Sequence, residues 1–494
     1  MTGARRGGLI RAAAGWLGLP QRPPRAAGTR EGGRLRRWGR VLVVRGLAQV
    51  AFRPGWWGAG LAVAGFVAGP WWLALTGVMP YGLYRWSSRS RVVRILTILL
   101  AVSSRVKSLH LARQLRRQWR PLMTRLGLSR QTVHRGEHVT VVPALGRPRL
   151  DDYGLSVAVN LQRLDQPPRA LAKLAENIEA SLGVPACSVH KTGPGRARMT
   201  LRHTDPLADP VAIDRLPPPT RRLHVVTRLA EDGRGVEQGY LLPDLTVGAV
   251  GAGKSMAARV KLYRLYQMGV PVRVRLFDPK GQEFADLADA AYDYESNAAA
   301  WPAFLGRAYG GLQARQRHLA TRKVRELLWF DDTNPLDVMV VDELMSVVAA
   351  GNGTVRVGGA AMKASAVFML YASQGRAAGY TVEALSQLAQ KETIGAVRDV
   401  FATVTCLRVP PQAREMVNLL LGEGAATYYP AHEIPAGRWT AGIGYTRRTD
   451  GTVVRTRGAG LDDAQQWQLA AWMREATERF RVRTGRREKA GAAA

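Results

Sequence analysis

The stretch that decides the fold is Gly248-Ala249-Val250-Gly251-Ala252-Gly253-Lys254-Ser255, which matches G-x-x-x-x-G-K-[ST] at every defined position. In this pattern the glycines let backbone N–H groups approach a phosphate closely, the lysine reaches the β- and γ-phosphates, and the hydroxyl binds Mg²⁺. A strand-like run, 239–247, precedes the loop, and a helical pattern follows it. Because the start of a helix favours an anion, the eight residues predict a nucleoside triphosphate site.

An acid pair follows a second predicted strand. Val338-Met339-Val340-Val341 is a continuous apolar run, typical of a strand buried in a parallel sheet, and Asp342-Glu343 come directly after it. We expect Asp342 to hold Mg²⁺ through water and Glu343 to polarise the attacking water. An acid pair is more typical of ATP-driven ring motors than of GTP switches. The predicted cofactors are therefore ATP and Mg²⁺, with Ser255 and Asp342 on the metal.

Two further polar segments lie at the ends of predicted strands. The strand predicted over Val272–Phe277 is followed by Asp278-Pro279-Lys280-Gly281, and residues 367–374 are predicted to form another buried strand with a polar tip. Ligands bind at the carboxyl edge of such sheets. Gln374 would then stand at that edge as a sensor of the γ-phosphate.

The ordered set of motifs resembles the FtsK/SpoIIIE double-stranded DNA translocases. The motifs that carry the resemblance are the loop itself, Asp278-Pro-Lys-Gly281, Val341-Asp342-Glu343, Ala372-Ser-Gln374 and Leu421-Gly-Glu-Gly424-Ala-Ala-Thr-Tyr428. An Arg-rich stretch, 307–328, is similar to a helix that the family carries before its second acidic motif. The resemblance covers residues 150–445, and it implies an α/β, RecA-like P-loop ATPase whose mostly parallel sheet is flanked by helices.

The resemblance also implies partners. It implies a homo-hexameric ring around double-stranded DNA, in which an arginine from the neighbouring subunit completes each ATP site. The family's motifs point first to Arg414 for this role and second to Arg376. The sequence departs from the family at two places. The arginine after Ser373-Gln374 is displaced by one position, and residues 349–364 are Gly-rich where the family has an Arg-bearing helix.

Upstream of the loop, residues 138–225 predict a small α/β domain that resembles the one preceding the motor in that family. Leu155–Leu161 alternates as a half-buried strand does, Pro168 opens a helix that Gly183 ends, and Arg196–Arg202 predicts a second strand. Three arginines of this second strand would share one face, either as a solvated surface or as DNA contacts; they are Arg196, Arg198 and Arg202.

The charge of the chain is concentrated at its start. The formal net charge is +33 over 494 residues, and residues 1–130 hold 24 basic residues against a single acid, Glu31. A block of this kind faces lipid headgroups or nucleic acid. With 46% hydrophobic residues the whole chain is not a disordered polyelectrolyte. Two cysteines, Cys187 and Cys406, exclude a disulfide scaffold and fit a reducing compartment.

An uncharged stretch of 31 residues, Pro54–Tyr84, lies inside this basic block. A bilayer core takes about 20 apolar residues as a helix, so the stretch predicts a membrane segment, either a single span or a hairpin that turns at Gly69-Pro70. Basic flanks tend to stay cytoplasmic, which favours the hairpin and a cytoplasmic motor on the cell membrane. We expect the basic residues after it to form a helix on anionic lipid, with a DNA-contacting arm as the alternative.

The sequence thus predicts six consecutive segments. They are a basic arm (1–53), a membrane segment (54–84), a basic linker (85–137), a small α/β domain (138–225), a RecA-like motor domain (226–455) and a C-terminal helix with a basic tail (456–494). The predicted function is a membrane-anchored, ATP-driven translocase of double-stranded DNA for conjugative transfer of plasmid or integrative-element DNA. The alternatives are a chromosome-partition translocase at division and an FtsK-like protein-secretion ATPase.

Overall fold

A computed structural model of the chain describes residues 91–134, 137–349, 353–387, 389 and 397–492. The basic arm and the predicted membrane segment fall outside these residues. Among the residues described, no helix combines the length and the apolar character needed to cross a membrane. The chain divides into two compact units, Met1–Thr97 and Ile98–Ala494.

The second unit begins with a small domain of strands and short helices. Its elements are the part of α1 (Arg91–Arg125) from Ile98 onward, β1 (Arg130–His134), β2 (Glu137–Val141), β3 (Ala144–Leu145), β4 (Arg149–Leu150), β5 (Gly154–Asn160), α2 (Pro168–Ala172), α3 (Ala175–Leu182), β6 (Ala186–Gly193) and β7 (Arg196–Arg202). The sheet has the order β3-β5-β7-β6, and all its pairs are antiparallel. The predicted strands appear as β5 and β7. The predicted helix is two short helices, of which α3 ends at Gly183 with φ of +64°.

The first helix belongs to the core of the small domain. Leu111, Leu115 and Trp119 of α1 are buried in one apolar cluster with Val157 of β5 and Met199 of β7. Four arginines on the opposite side of the helix remain exposed; they are Arg113, Arg116, Arg117 and Arg120. The expectation of a linker helix lying on lipid is therefore wrong for this part of 85–137, because the apolar face that would enter the headgroups is covered by the protein's own sheet.

Leu115→Ala should destabilise the small domain by about 3 kcal/mol, because it removes a fully buried side chain and leaves a cavity. Leu115 is 1% exposed, whereas Leu109 on the same helix is 40% exposed. Leu109→Ala is therefore the matched control, with an expected change of less than about 0.5 kcal/mol in the free energy of unfolding. Urea unfolding followed by tryptophan fluorescence measures both. Equal effects of the two substitutions would mean that the helix is not part of this core.

The larger part of the unit is built around one extended sheet. Its strands are β8 (Val211–Ala212), β9 (His224–Ala230), β10 (Gly235–Gly239), β11 (Asp244–Val247), β12 (Val272–Phe277), β13 (Asp293–Glu295), β14 (Leu336–Val341), β17 (Tyr380–Ser386), β18 (Thr403–Leu407), β19 (Ile443–Arg447) and β20 (Val453–Gly460), while β15 (Thr354–Val357) and β16 (Ala360–Lys363) form a separate hairpin. Its helices are α4 (Lys254–Gln267), α5 (Trp301–Thr321), α6 (Leu344–Ala349), α7 (Ala364–Gln374), α8 (Arg414–Leu421) and α9 (Asp463–Ala492).

The sheet has the order β10-β9-β20-β19-β18-β11-β17-β14-β12-β13. The six strands from β18 to β13 are parallel, and the strands from β18 to β10 pair antiparallel. Side chains of β14 alternate between two apolar clusters. Met339 and Val341 pack with α5 and α7, whereas Val338 and Val340 pack with α4 and α9. The predicted fold class, a mostly parallel sheet flanked by helices, is confirmed.

One predicted strand is wrong. Residues 364–374 form the helix α7, in which Ala364, Val367, Phe368, Tyr371 and Ala372 are buried. Spacings of three and one residues place these side chains on one face of a helix. The strand that the sheet uses instead, β17, contains a charged residue in its middle, Glu383, which pairs with Lys261 of α4 in the interior.

Candidate functional site: a phosphate-binding loop at the carboxyl edge of the sheet

The loop 248–253 joins β11 to α4 and is fixed by backbone hydrogen bonds. The N–H groups of Gly248 and Ala249 donate to the carbonyl oxygens of Ser386 (3.1 Å) and Arg408 (2.8 Å), at the ends of the strands on either side of β11. A Cβ at Gly248 would lie 2.8 Å from a neighbouring side chain, and Gly253 adopts a φ of +98°, so both positions require glycine. The first N–H groups of α4 have no acceptor within the helix and are available to an anion.

Lys254 and Ser255 begin the helix that follows the loop. Lys254 is 8% exposed, and its Nζ donates a hydrogen bond of 3.2 Å to the carbonyl oxygen of Ala249 across the loop. Burial lowers the pKa of Lys254, and the carboxylates of Glu343 and Asp342 act in the opposite direction. The hydroxyl of Ser255 donates to Glu283 at 2.6 Å. The ammonium and the hydroxyl thus lie at the mouth of the loop, where this motif binds phosphate and Mg²⁺.

The segment after β12 shapes the wall opposite the loop. The buried carboxylate of Asp278 accepts the N–H groups of Gly281 (3.1 Å) and Phe284 (3.0 Å), which folds the chain into a tight turn. This turn brings Glu283 to the hydroxyl of Ser255. It also brings Lys280 within 2.9 Å of Glu343. The motif that follows β12 therefore places Glu283 against Ser255 and Lys280 against Glu343.

Glu343 has an unusual backbone conformation. Its φ is +50°, in the left-handed region that residues other than glycine seldom adopt. Strain of this kind costs about 1–3 kcal/mol and persists at sites where the surrounding structure holds it. The Glu343 side chain is 13% exposed and is held by the ion pair with Lys280. The strained backbone and the ion pair fix the carboxylate at the end of β14, beside Asp342.

Asp342 fits a magnesium site. It is 2% exposed, and its buried Oδ2 has no hydrogen-bond partner among the described residues. Burial raises the pKa of Asp342 to about 6, and the nearby carboxylates of Glu343, Asp278 and Glu283 add to the rise. The described residues contain no cluster of three His, Cys, Asp or Glu side chains that could hold a metal alone. Mg²⁺ binds through one or two carboxylates together with the phosphates of its substrate. Ser255 and Asp342 are the residues that would hold it.

Asp342→Asn should stabilise the nucleotide-free protein at neutral pH. The pKa of Asp342 in the folded protein, about 6, lies above its ordinary value of 3.8, so the wild-type protein gains stability as pH falls from 6 to 4 and loses it as pH rises. The amide removes this charge, and we expect the free energy of unfolding to rise by on the order of 2 kcal/mol at pH 8. The difference should vanish near pH 4. Urea unfolding across this range measures it, and a gain that does not depend on pH would contradict the argument.

Gln374 does not stand at the phosphate edge. It ends the helix α7, and the strand that lies between β11 and β14 is β17, whose last residue is Ser386. Ser386 is fully buried, its carbonyl oxygen accepts the N–H of Gly248, and Gln387 follows it directly. Gln374 therefore does not end a strand beside the loop, whereas Gln387 follows one that does; a γ-phosphate sensor at this edge stays a prediction. The same dipeptide, Ser-Gln, occurs at 373–374 and at 386–387. The apolar run before the first occurrence resembles a buried strand, but it forms the helix α7, and the strand precedes the second occurrence.

The two arginines considered for a role between subunits lie outside the loop. Arg414 is exposed at the start of α8, and its Nη2 donates to the hydroxyl of Thr427 at 3.1 Å. It borders a cleft between the small domain and the motor sheet. Arg376 is 60% exposed and pairs with Glu326 at 3.4 Å. Their action on a neighbouring subunit stays a prediction. The two cysteines are free thiols.

No known protein family and no curated protein matches the chain. Several solved structures are similar to it. The conjugation coupling protein TcpA of pCW3, in a monomer form with ATPγS, is 15% identical over 67% of this chain and 93% of its own, with a TM-score of 0.47. The type VII secretion ATPase EccC of Thermomonospora curvata is 22% identical over 51% of this chain and 32% of its own (TM-score 0.41). EssC of Geobacillus thermodenitrificans is 13% identical over 56% and 53% (TM-score 0.40).

Proposed function

We propose that this chain is a membrane-anchored ATPase that drives double-stranded DNA through a homo-hexameric ring, in conjugative transfer of plasmid or integrative-element DNA. The observation that carries the ATPase part is the site itself. A complete phosphate-binding loop and an unsatisfied buried carboxylate, Asp342, lie at one edge of a parallel sheet.

Each side chain of the site has a chemical role in hydrolysis. Lys254 and the N–H groups of the loop bind the β- and γ-phosphates, and Ser255 with Asp342 holds Mg²⁺, which when bound neutralises the charge that develops on the phosphates. Glu343 orients and polarises the attacking water. Gln387, at the end of the strand between the loop and the acid pair, is placed to report the presence of the γ-phosphate.

In the proposed ring, the neighbouring subunit supplies a further positive charge to each ATP site. An arginine that acts on a neighbouring subunit must be exposed and able to change its partner. Arg414 meets both conditions, because it is exposed and, among the described residues, its guanidinium donates one hydrogen bond, to the hydroxyl of Thr427. An arginine of this kind is worth a factor of about 10³–10⁵ in the hydrolysis rate of other P-loop enzymes.

Basic surfaces of the described residues support DNA as the moving partner. The exposed face of α1 carries four arginines, and Arg196 and Arg198 of β7 are exposed as well. The motif set shared with double-stranded DNA translocases points to the same partner. Phosphate contacts give affinity without sequence preference, and they weaken steeply as salt rises.

The test is ATP hydrolysis by the purified full chain with and without linear double-stranded DNA. We expect duplex to raise the rate several-fold at low salt, single strands to raise it less, and Lys254→Ala to abolish it. Hydrolysis that Lys254→Ala removes but no DNA stimulates would reject the DNA motor and favour the protein-secretion alternative. Deleting the gene in its host separates transfer from partition, since lost transfer with normal chromosome inheritance is the expected outcome.

A further inference from the structure

A second basic cavity lies in the motor domain, apart from the phosphate-binding loop. It has a volume of about 810 Å³ and lies on the side of the sheet that α5 covers. Arg273 in its wall is four residues before Phe277, the last residue of β12, and so about 13 Å from the nucleotide edge at 3.3 Å per residue. Five arginines line it; they are Arg273, Arg275, Arg307, Arg315 and Arg481.

Among the described residues, the positive charges around this cavity outnumber the negative ones. Arg273 and Arg275 share the carboxylate of Asp337, and Arg275 and Arg307 share that of Asp293. Arg315 is held by backbone carbonyl oxygens, at 2.7 Å to Pro335 and 3.1 Å to Ala378. Five guanidinium groups against two carboxylates leave an excess of three positive charges around one cavity. Arg307 and Arg481 are exposed at the rim, whereas Arg273, Arg275 and Arg315 are largely buried and outnumber the two carboxylates. Buried charges are ordinarily paired, so the cavity favours an anion.

The guanidinium groups are also held in place before any ligand arrives. Arg273 and Arg275 lie 4.9 and 5.2 Å from the ring centre of Tyr292, and Arg315 lies 4.6 Å from that of Tyr380. The Arg275 side chain is 6% exposed. Stacked and desolvated guanidinium groups lose little freedom on binding, and their planar fork matches the oxygens of carboxylate or phosphate.

We propose that this cavity is a binding site for a phosphate-bearing anion, separate from the nucleotide site at the loop. Three excess positive charges exceed what one carboxylate can offset, whereas a phosphate monoester carries about 1.5–2 negative charges. The volume lies in the range of about 300–1,000 Å³ that is typical of small-molecule sites. Two sources offer this chemistry: a soluble phosphorylated molecule, or a stretch of nucleic-acid backbone that enters from the open side.

The experiment uses the full chain with Lys254→Ala, so that the loop does not compete for phosphate. Titration calorimetry with tripolyphosphate forms one arm, and fluorescence anisotropy of a short labelled duplex forms the other. Arg307→Gln and Arg481→Gln should each lower the affinity for the ligand that binds in the cavity about tenfold, the usual cost of losing one charge-assisted contact. Arg317→Gln is the matched control. Arg317 is an exposed arginine of the same helix, α5, that does not line the cavity.

Each outcome decides a point. If the two variants bind tripolyphosphate more weakly, the ligand is a small phosphorylated molecule. If they bind only the duplex more weakly, the ligand is a nucleic-acid backbone. If Arg307→Gln and Arg481→Gln change neither affinity more than Arg317→Gln does, the cavity binds no phosphate and the proposal is wrong. Arg481 lies on the exposed part of α9, so Arg481→Gln tests the site even if Arg307→Gln disturbs the ion pair with Asp293. The proposal does not depend on the motor activity, because binding is measured without hydrolysis.

Discussion

Glu343→Gln is expected to lower the rate of ATP hydrolysis by a factor of about 10²–10⁴ while leaving ATP bound, the usual loss when a positioned general base is removed. The amide keeps the size of the side chain but cannot polarise the attacking water. Lys280, which pairs with Glu343 at 2.9 Å, is 44% exposed and keeps access to solvent when its charged partner is lost, so the fold should change little.

The measurement is single-turnover hydrolysis together with equilibrium binding of a fluorescent ATP analogue. Lys254→Ala should lose both binding and hydrolysis, because the lysine contacts the phosphates themselves. Asp289→Asn, a change at an exposed acid whose side chain makes no contact with the site, is the control and should retain the wild-type rate. A Glu343→Gln protein that hydrolyses ATP within a few-fold of the wild-type rate would remove Glu343 from the proposed chemistry.

Asp337→Ala should have the largest effect on stability, a loss of about 3–5 kcal/mol in the free energy of unfolding. Asp337 is fully buried at the start of β14 and accepts hydrogen bonds from Arg273 and Arg275. Burial alone would raise the pKa of this carboxyl, but Arg273, Arg275 and Arg315 outweigh burial and hold the pKa below its usual range. The substitution leaves two largely buried guanidinium groups without their shared partner.

Urea unfolding at two pH values separates this effect from a simple loss of packing. The contribution of a carboxyl with a lowered pKa is present above its unfolded pKa and is lost as pH falls through the lower, folded value. The difference in the free energy of unfolding between wild type and Asp337→Ala should therefore be largest at pH 7 and shrink in strong acid. Asp289→Ala, at the exposed acid used above, should cost less than about 0.5 kcal/mol. A loss of similar size in both variants would show that the buried cluster does not stabilise the sheet.

The sequence predicted the strands that carry a simple pattern. β12 and β7 have the predicted bounds, and the acid pair follows β14 as expected, because apolar runs between turn signals leave few alternatives. Single residues of the loop could be predicted, because phosphate binding requires glycine, lysine and serine or threonine at defined positions.

Two elements escaped the pattern for physical reasons. β17 contains Glu383, and a charge in a central strand argues against burial unless its partner is known; that partner, Lys261, lies 122 residues away. The first helix, α1, shows basic and apolar residues in alternation, which fits a lipid surface and a protein surface equally well. Only the packing of Leu115 and Trp119 against the small domain's sheet decides between the two.

The most direct test of DNA translocation is displacement of a third strand. A labelled oligonucleotide bound as a triplex on a linear duplex is released when a motor moves along the double strand, and its release is followed in real time. We predict release that requires ATP and Mg²⁺, is lost in Lys254→Ala and Glu343→Gln, and continues when the duplex sequence is changed outside the triplex. ATP hydrolysis stimulated by duplex without any release of the third strand would contradict translocation.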